Sequence, residues 1–591
     1  MTRVEVPLTG PVNTATPSWP TRLDWLAALL VALLVFSLEA YVATAMGRAQ
    51  SLAYDGLGYA AHARLKYFQL AAAIHHPVQY FGGFLGFIAG LWSGFLVLTY
   101  AVLGVGEIQA HLAWFWPVLF LLVLVVWVAR ATADMTVAVL LAVATALLPL
   151  CSPMLALAID YQLGLDWIGL MHLNLADSRP DALAHVFMLW SVVPLVMHGR
   201  DARTRTFVFS AVAAAASVLT KGTVGPLTVG CWGLALLYVC WLQRDSYRQA
   251  LTRAAYAGLT ILILLLPWVL AGGLNAVLDY MREAYVWKPF YEKSVTEAGL
   301  HHYPFYRYFP AAALFFSWPV IGLVLAVGAW AAFRAWRDRD YVVLARLGGL
   351  ALLGAGILLP LYVQKLRNNY LGMPLYYVFW IYAVLSLAFF WRYFGERWLF
   401  KVSFCAIFAA SYVAAGAIGL LGVWNWPQDD VRRLLEGRRL IRQIALDVKS
   451  QLTADDTFAG LVLASGWPLI LQFHMTTDAS GYPATFRILQ QDGPAVATDP
   501  AARQRFIADL ERQAKLVVTF KEPPEQVYLR ARMSDFFLPH FQAIHEYLNS
   551  GRSRFRPVRE YVFPEPGRLF FPPAAGTVVM YLRDDVPDRF K

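Results

Sequence analysis

Residues 23–45 read LDWLAALLVALLVFSLEAYVATA, and residues 54–64 read YDGLGYAAHAR. The first stretch is apolar for about the 20 residues that a membrane-spanning helix needs. It is too long for a signal-peptide core and has no small-residue cleavage site, so an uncleaved first span is expected. The second stretch follows directly and carries Asp55, the only carboxylate between Glu39 and Glu107. A charged residue this close to a span is costly to place, so it usually serves a function or sits in water. Gly56 and Gly58 permit a close backbone approach, and Tyr59 stands at i+4, on the face of a short helix that Asp55 would share. Asp55 is therefore a candidate general base at the membrane surface. Aspartate is also a good helix N-cap, the plainer role for this position.

Outward from these stretches the chain stays apolar. Of its 591 residues 59% are hydrophobic and 15% charged, and the mean hydropathy is +0.50. That exceeds what soluble domains show. The expected fold class is mainly α: a polytopic transmembrane helical bundle of about 11–13 spans, with a C-terminal soluble α/β domain on the outer side. Spans are expected at 23–45, 111–128, 135–155, 181–196, 207–219, 224–242, 254–271, 311–333, 344–362, 371–390 and 402–424. The net charge of +10 does not point to nucleic acid, because the excess arginine sits in short loops between spans. Cys151, Cys231, Cys240 and Cys405 fall in or beside apolar segments without metal-ligand spacing, so no disulfide framework is expected.

Four basic clusters occur, at Arg200–Arg205, Arg244–Arg253, Arg334–Arg346 and Arg392–Lys401. Two expected spans separate each from the next, so all four lie on one side, which the positive-inside rule makes cytoplasmic. The loops 46–82, 156–180 and 272–310, the turn at Lys221 and residues 364–370 then face outward. A cytoplasmic N-terminal tail (1–22) requires that Phe84–Gly104 make no net crossing, so a re-entrant or interfacial segment is expected there. The loop 46–82 is amphipathic and aromatic and reads as interfacial helix. After Trp424 the composition turns polar. Helical stretches at 430–451 and 500–514 alternate with strand-like runs at 458–464, 516–520 and 577–582, which predicts a small α/β domain over 426–591.

The polar residues that could carry chemistry collect on the outer side. Arg179-Pro180-Asp181 opens one span; Pro and Asp there also signal a helix start. Lys221, between two apolar segments and beside Gly222, can meet a phosphate as a point charge or snorkel to the interface. Lys365 and Arg367 run against the positive-inside trend, which implies an anionic partner. The loop 272–310 sets Tyr285, Trp287, Tyr306 and other rings beside Lys288, Lys293, His301 and His302, a mixture suited to a sugar, a lipid phosphate or an aromatic belt. No Walker loop, GxSxG or HExxH occurs. Together these residues suggest a lipid-linked phosphate substrate that enters sideways from the bilayer.

An acid with Tyr at i+4 after the first span, RPD at 179–181, TKG at 220–222, a HxxPxxxY-like stretch from His301, and KxxxNY at 365–370 occur in that order before a soluble domain. This order resembles the GT-C integral-membrane glycosyltransferases, in particular the protein O-mannosyltransferase and lipid A aminoarabinose transferase group. The resemblance covers 23–425, which it marks as the catalytic domain. It implies that Asp55 is the catalytic carboxylate, that Tyr59 supports the donor or acceptor, and that Asp181 is a second acid of the cavity. It makes Lys221, Lys365 and Arg367 candidates to hold the donor phosphate, with Arg179 and Tyr306 nearby. His76-Pro77 takes the place of a Lys-Pro in the relatives, and His301 matches a His three residues before Pro304. If His75 and His301 meet, they could bind a divalent cation. Gly56 stands where relatives carry a second acid, which argues against a metal-dependent double-acid form.

The implied reaction is transfer of a monosaccharide from a polyprenyl-phosphate donor to a hydroxyl of a lipid, glycan or protein, with inversion, by an enzyme of a bacterial inner membrane. Alternatives are a transporter or flippase of lipid-linked sugars, and a ligase using a lipid-linked oligosaccharide.

Overall fold

The computed structural model describes residues 18–46, 54–74, 90–163, 179–282, 308–363, 372–394, 397–461, 466–486, 493–526, 538–564 and 576–590. Helix α1 (Arg22–Thr44) begins with a capping box: Asp24 N donates to Thr21 Oγ1, and Thr21 N donates to Asp24 Oδ2 at 2.6 Å. This satisfies amides that the first turn would leave bare. The same Asp24 is fully buried and takes Arg130 Nε at 2.5 Å and Nη2 at 2.9 Å. It thereby ties the start of α1 to the end of α5 (Phe115–Thr132).

The remaining long helices follow in alternating direction: α6 (Met135–Ala146), α8 (Asp181–His198), α9 (Thr204–Thr220), α10 (Gly225–Leu242), α11 (Tyr247–Leu270), α14 (Trp318–Arg337), α15 (Tyr341–Val363), α16 (Met373–Phe394) and α17 (Trp398–Trp424). Among the described residues eight helices are long and apolar enough to cross a membrane. The chain is a polytopic helical membrane protein. Its basic clusters meet at one end of the bundle. Arg200 pairs with Asp245, Arg253 Nη1 donates to Ala202 O at 3.0 Å, and Arg346 Nε donates to Met197 O at 2.9 Å. Gln243 Nε2 closes the same turn on the carbonyls of Arg200 and Ala202, each at 2.9 Å.

At the opposite end lie α2 (Tyr54–Ala73), α3 (Leu91–Leu103), α4 (Glu107–Leu112), α7 (Pro153–Leu163), α12 (Gly273–Met281) and α13 (Tyr308–Phe316). Helix α3 is 13 residues long, too short to cross alone. Tyr100 near its C-terminal end donates to Ala60 O of α2 at 3.2 Å. Gly90, just before it, lies beside the Lys66 ammonium of α2. Both ends of α3 thus stay at the α2 end of the bundle; residues 84–89 of the segment expected to be re-entrant lie outside the described residues.

Two expected spans are broken. The span expected over 135–155 stops at Ala146, because Pro149 and Pro153 each lack the N–H that would continue the ladder. Helix α7 restarts at Pro153, so the loop expected over 156–180 begins as helix. Glu39 of α1, buried, accepts Ser152 Oγ at 2.8 Å and Met154 N at 2.9 Å, and so caps α7. The span expected over 311–333 is two helices, α13 and α14. Ser317 between them sits at φ 61°, and Pro319 opens the new helix. The loop expected over 272–310 likewise opens with α12.

The polar C-terminal part begins with α18 (Gln428–Gln451), whose apolar face is buried through Val431, Leu434, Ile441, Ile444 and Val448. It continues through β1 (Thr457–Leu461), α19 (Gly466–Met475), β2 (Ala484–Thr485), α20 (Gly493–Thr498), α21 (Pro500–Gln513), β3 (Ala514–Phe520), α22 (Leu538–Asn549), β4 (Phe555–Phe563) and β5 (Gly576–Arg583). The sheet order is β2-β1-β3-β5-β4, parallel from β2 to β3 and antiparallel beyond. Strand β3 is apolar on both faces because helices cover both sides of a parallel core. The three runs expected as strands are β1, β3 and β5. Strand β4 was not expected, since its residues FRPVREYVF carry too many charges to read as buried.

Candidate active site

The site is built at the end of the bundle away from the arginines. Asp181 is the first residue of α8, after Pro180, where an acid is favoured by the helix dipole. Lys221 follows α9 in extended backbone, φ −150° and ψ 105°, ahead of a short 3-10 turn that leads into α10. Lys221 Nζ donates to both oxygens of Asp181, at 2.7 Å to Oδ1 and 2.6 Å to Oδ2. Their side chains are 16% and 18% exposed, so the pair sits at the mouth of the helix packing. Arg179 adds a second positive charge that acts on the same carboxylate.

The helices that carry this pair are locked together just beneath it. Ser217 Oγ of α9 donates to Ala184 O of α8 at 2.7 Å and lies 2.8 Å from Thr228 Oγ1 of α10. Gly222 makes the turn possible. A Cβ there would lie 2.8 Å from the Trp268 ring, so glycine alone lets that ring close over the turn after Lys221. One helical turn below Asp181, His185 is buried, and among the described residues its Nδ1 has no hydrogen-bond partner. Its ring centroid is 6.2 Å from that of Tyr377 in α16, whose hydroxyl is buried and likewise has no partner among the described residues.

Asp55 is the second residue of α2; its side chain lies outside the described residues. On the helix backbone Asp55, Tyr59, His62 and Lys66, spaced by four, three and four, fall on one face. Tyr59 is half-buried, and Lys66 is buried at 9% exposure, with its pKa drawn down by burial. Helix α3 connects this helix with the ion pair's helices. It meets α2 through Tyr100, and its Phe95 packs on Phe187 of α8 with ring centroids 6.5 Å apart.

The C-terminal domain closes on α2 from the other side. Arg64 lies over the Phe473 ring of α19, 4.8 Å from its centroid. His474 Nε2 is 3.8 Å from Glu107 Oε2 of α4, beyond hydrogen-bond reach. Burial pulls the His474 pKa down to about 4; Glu107 opposes that shift, and Arg64, Arg442 and Arg438 reinforce it.

Of the residues singled out from the sequence, Asp181, Lys221 and Arg179 come together, and Tyr59 stands on α2. His75, His76, His301, Tyr306, Lys365 and Arg367 lie outside the described residues. Among the described residues no group of three or more His, Cys, Asp or Glu side chains could hold a metal ion. His185 and Tyr377 were not anticipated. His185 could have been found from its i+4 spacing after Asp181, whereas only tertiary packing brings Tyr377 there.

No protein-family model and no curated protein sequence matches the chain. Among solved structures, ArnT from Cupriavidus metallidurans in the apo state is similar over 94% of this chain and 97% of that one, with a TM-score of 0.50 at 15% identity. The same protein bound to undecaprenyl phosphate is similar over 95% of this chain and 98% of that one, with a TM-score of 0.47 at 16% identity. The arabinofuranosyltransferase AftD from mycobacteria is similar over 96% of this chain and 40% of that one, with a TM-score of 0.49 at 14% identity. The likeness to apo ArnT is one of fold: the chain has the fold of the GT-C membrane glycosyltransferases, as its motif order implies.

Proposed function

We propose that the chain is a membrane glycosyltransferase that moves a monosaccharide from a polyprenyl-phosphate donor to an acceptor hydroxyl at the outer face of a bacterial inner membrane, with the C-terminal domain outside. One observation carries this reading. A bidentate Asp181–Lys221 pair stands at the mouth of the bundle, at the end opposite the arginine clusters, where α2 carries Asp55. A cation held there by a carboxylate suits a phosphate at the membrane surface, and the GT-C fold supports glycosyl transfer as the chemistry.

In this reading the acceptor oxygen attacks the anomeric carbon as the bond from that carbon to the phosphate oxygen breaks. The bonding electrons leave with the polyprenyl phosphate, and the configuration inverts. Asp55 takes the acceptor proton, a contribution of about 10²–10⁴-fold. Lys221, with Lys365 and Arg367, stabilises the charge that develops on the leaving phosphate. Asp181 positions Lys221, Arg179 adds positive charge beside it, and Tyr59 lies on the helix face of Asp55. The acceptor is a lipid, glycan or protein hydroxyl of the cell envelope.

The test is transfer from a panel of radiolabelled polyprenyl-phosphate sugars to cell-envelope extract by purified wild type and Asp55→Asn. Transfer by wild type alone supports the class and the base and identifies the sugar. Equal transfer by both removes Asp55 from the mechanism. Donor binding without turnover in either would favour transport of the lipid-linked sugar.

A further inference from the structure

From the arginine end of the bundle, a groove of about 500 Å³ runs between α1, α5, α8 and α9 toward the Asp181–Lys221 end. Its walls are aromatic: Trp19, Trp25, Phe120, Trp190 and Phe209 line it, with Arg205 at one end. Trp25 and Val212 are 40% and 43% exposed, so the groove opens sideways, on the surface a bilayer would cover. Soluble neighbours do not meet such a face; lipid does.

The groove has a polar end and an apolar end. Arg205, exposed in the first turn of α9, lies with its guanidinium 4.8 Å from the Trp19 ring centroid. Arg22 and Arg203 are exposed at the same level of the bundle. Ala216 lines the far end, and the eleven residue steps along α9 from Arg205 to Ala216 span about 16 Å. That is half of the roughly 30 Å hydrocarbon core, the depth of one leaflet. A cation at headgroup level above an aromatic slot one leaflet deep is complementary to an anionic headgroup carrying an acyl chain. The uncharged end of a polyprenyl tail entering from the opposite end would meet the slot without using Arg205.

We propose that this groove holds one phospholipid of the leaflet at the arginine end. Its acyl chain lies against Trp19, Trp25 and Phe120, and its anionic headgroup sits on Arg205. The headgroup end at Arg205 lies at the opposite end of α9 from Lys221, and the site stands whether or not the proposed transfer chemistry holds.

The experiment is native mass spectrometry of the full-length purified chain with phosphatidylglycerol or phosphatidylcholine added in turn. Wild type should retain phosphatidylglycerol about fivefold better, the preference one arginine near the surface supplies. Arg205→Glu, an exposed substitution, should abolish that preference. Ala216→Phe fills the deep end and should lower retention of both lipids, with unfolding curves confirming that each variant is folded. Equal retention of the two lipids by wild type overturns the proposal, as does a preference that survives Arg205→Glu. Retention unaffected by Ala216→Phe also overturns it. Displacement of phosphatidylglycerol by a sub-equimolar amount of polyprenyl phosphate would assign the groove to a polyprenyl tail instead.

Discussion

Lys221 Nζ stands 2.7 and 2.6 Å from the two carboxylate oxygens of Asp181, across a gap of 40 residues in sequence. A pair with under a fifth of each side chain exposed is neither a surface ion pair of little consequence nor a fully buried one. Removing one partner leaves the other charged and poorly solvated. Lys221→Met should therefore lower stability by about 1–3 kcal/mol. Transfer should fall by about 10²–10³-fold if the ammonium acts on the leaving phosphate. Asp181→Asn should raise the donor KM more than it lowers kcat, because it frees Lys221 without removing it. The double variant should be no worse than Lys221→Met alone. Kinetics with saturating acceptor distinguish these outcomes; a stability loss with unchanged KM and kcat would confine the pair to the scaffold.

Glu39 tests the converse, a buried acid in no proposed catalytic role. Its carboxylate holds Ser152 Oγ and Met154 N at the start of α7. Glu39→Ala strips the cap from that helix and leaves an amide and a hydroxyl buried. The expected cost is about 1–3 kcal/mol of stability. In the fraction that remains folded, the donor KM should be unchanged. A shift in KM with no loss of stability would place Glu39 in the donor site.

The fold was legible where one physical signal dominates. The apolar runs of α1, α8 and α10 needed no partner to be recognised, because a bilayer imposes their length. The arginine clusters fixed which helix ends lie together. Where two signals competed, the reading failed. Pro149 and Pro153 interrupt a run that remains hydrophobic through Leu155, so composition favoured one span while backbone chemistry made two helices. Ser317 breaks the helix expected over 311–333 for the same reason, with Pro319 behind it. In the site, Asp181 and Lys221 each stood out as charges at helix ends, but nothing local said that they would bond to each other. Tyr377 sits among the aromatic residues of α16, and its approach to His185 is a property of the packing alone.

The contact between α2 and the C-terminal domain carries a pH dependence whose sign is fixed by His474. Its folded pKa is depressed from 6.5 to about 4. The unfolded chain thus binds more protons between those values, and stability falls as pH drops through them. Stability from this group is fully present above pH 6.5 and declines by up to about 3 kcal/mol toward pH 4. The loss should appear as weakened docking of α19 on α2, read as faster amide exchange in both helices at pH 5 than at pH 7 after correction for intrinsic rates. His474→Phe should flatten the dependence. A profile identical in wild type and variant would show that another group controls the interface.

Arg64 and Phe473 connect the same two helices through a cation and a ring, 4.8 Å apart. A half-buried contact of this kind contributes about 0.5–2 kcal/mol. Arg64→Ala and Phe473→Ala should each loosen the domain, and the double variant should show a coupling of about that size relative to the sum of the singles. Because α2 carries Asp55, undocking should reach the chemistry through position rather than contact. The variants should lower kcat while leaving the affinity for the donor phosphate, read by competition with polyprenyl phosphate, close to wild type. Equal losses in both would instead place Arg64 on the donor itself, a role open to a cation one helix face removed from Asp55.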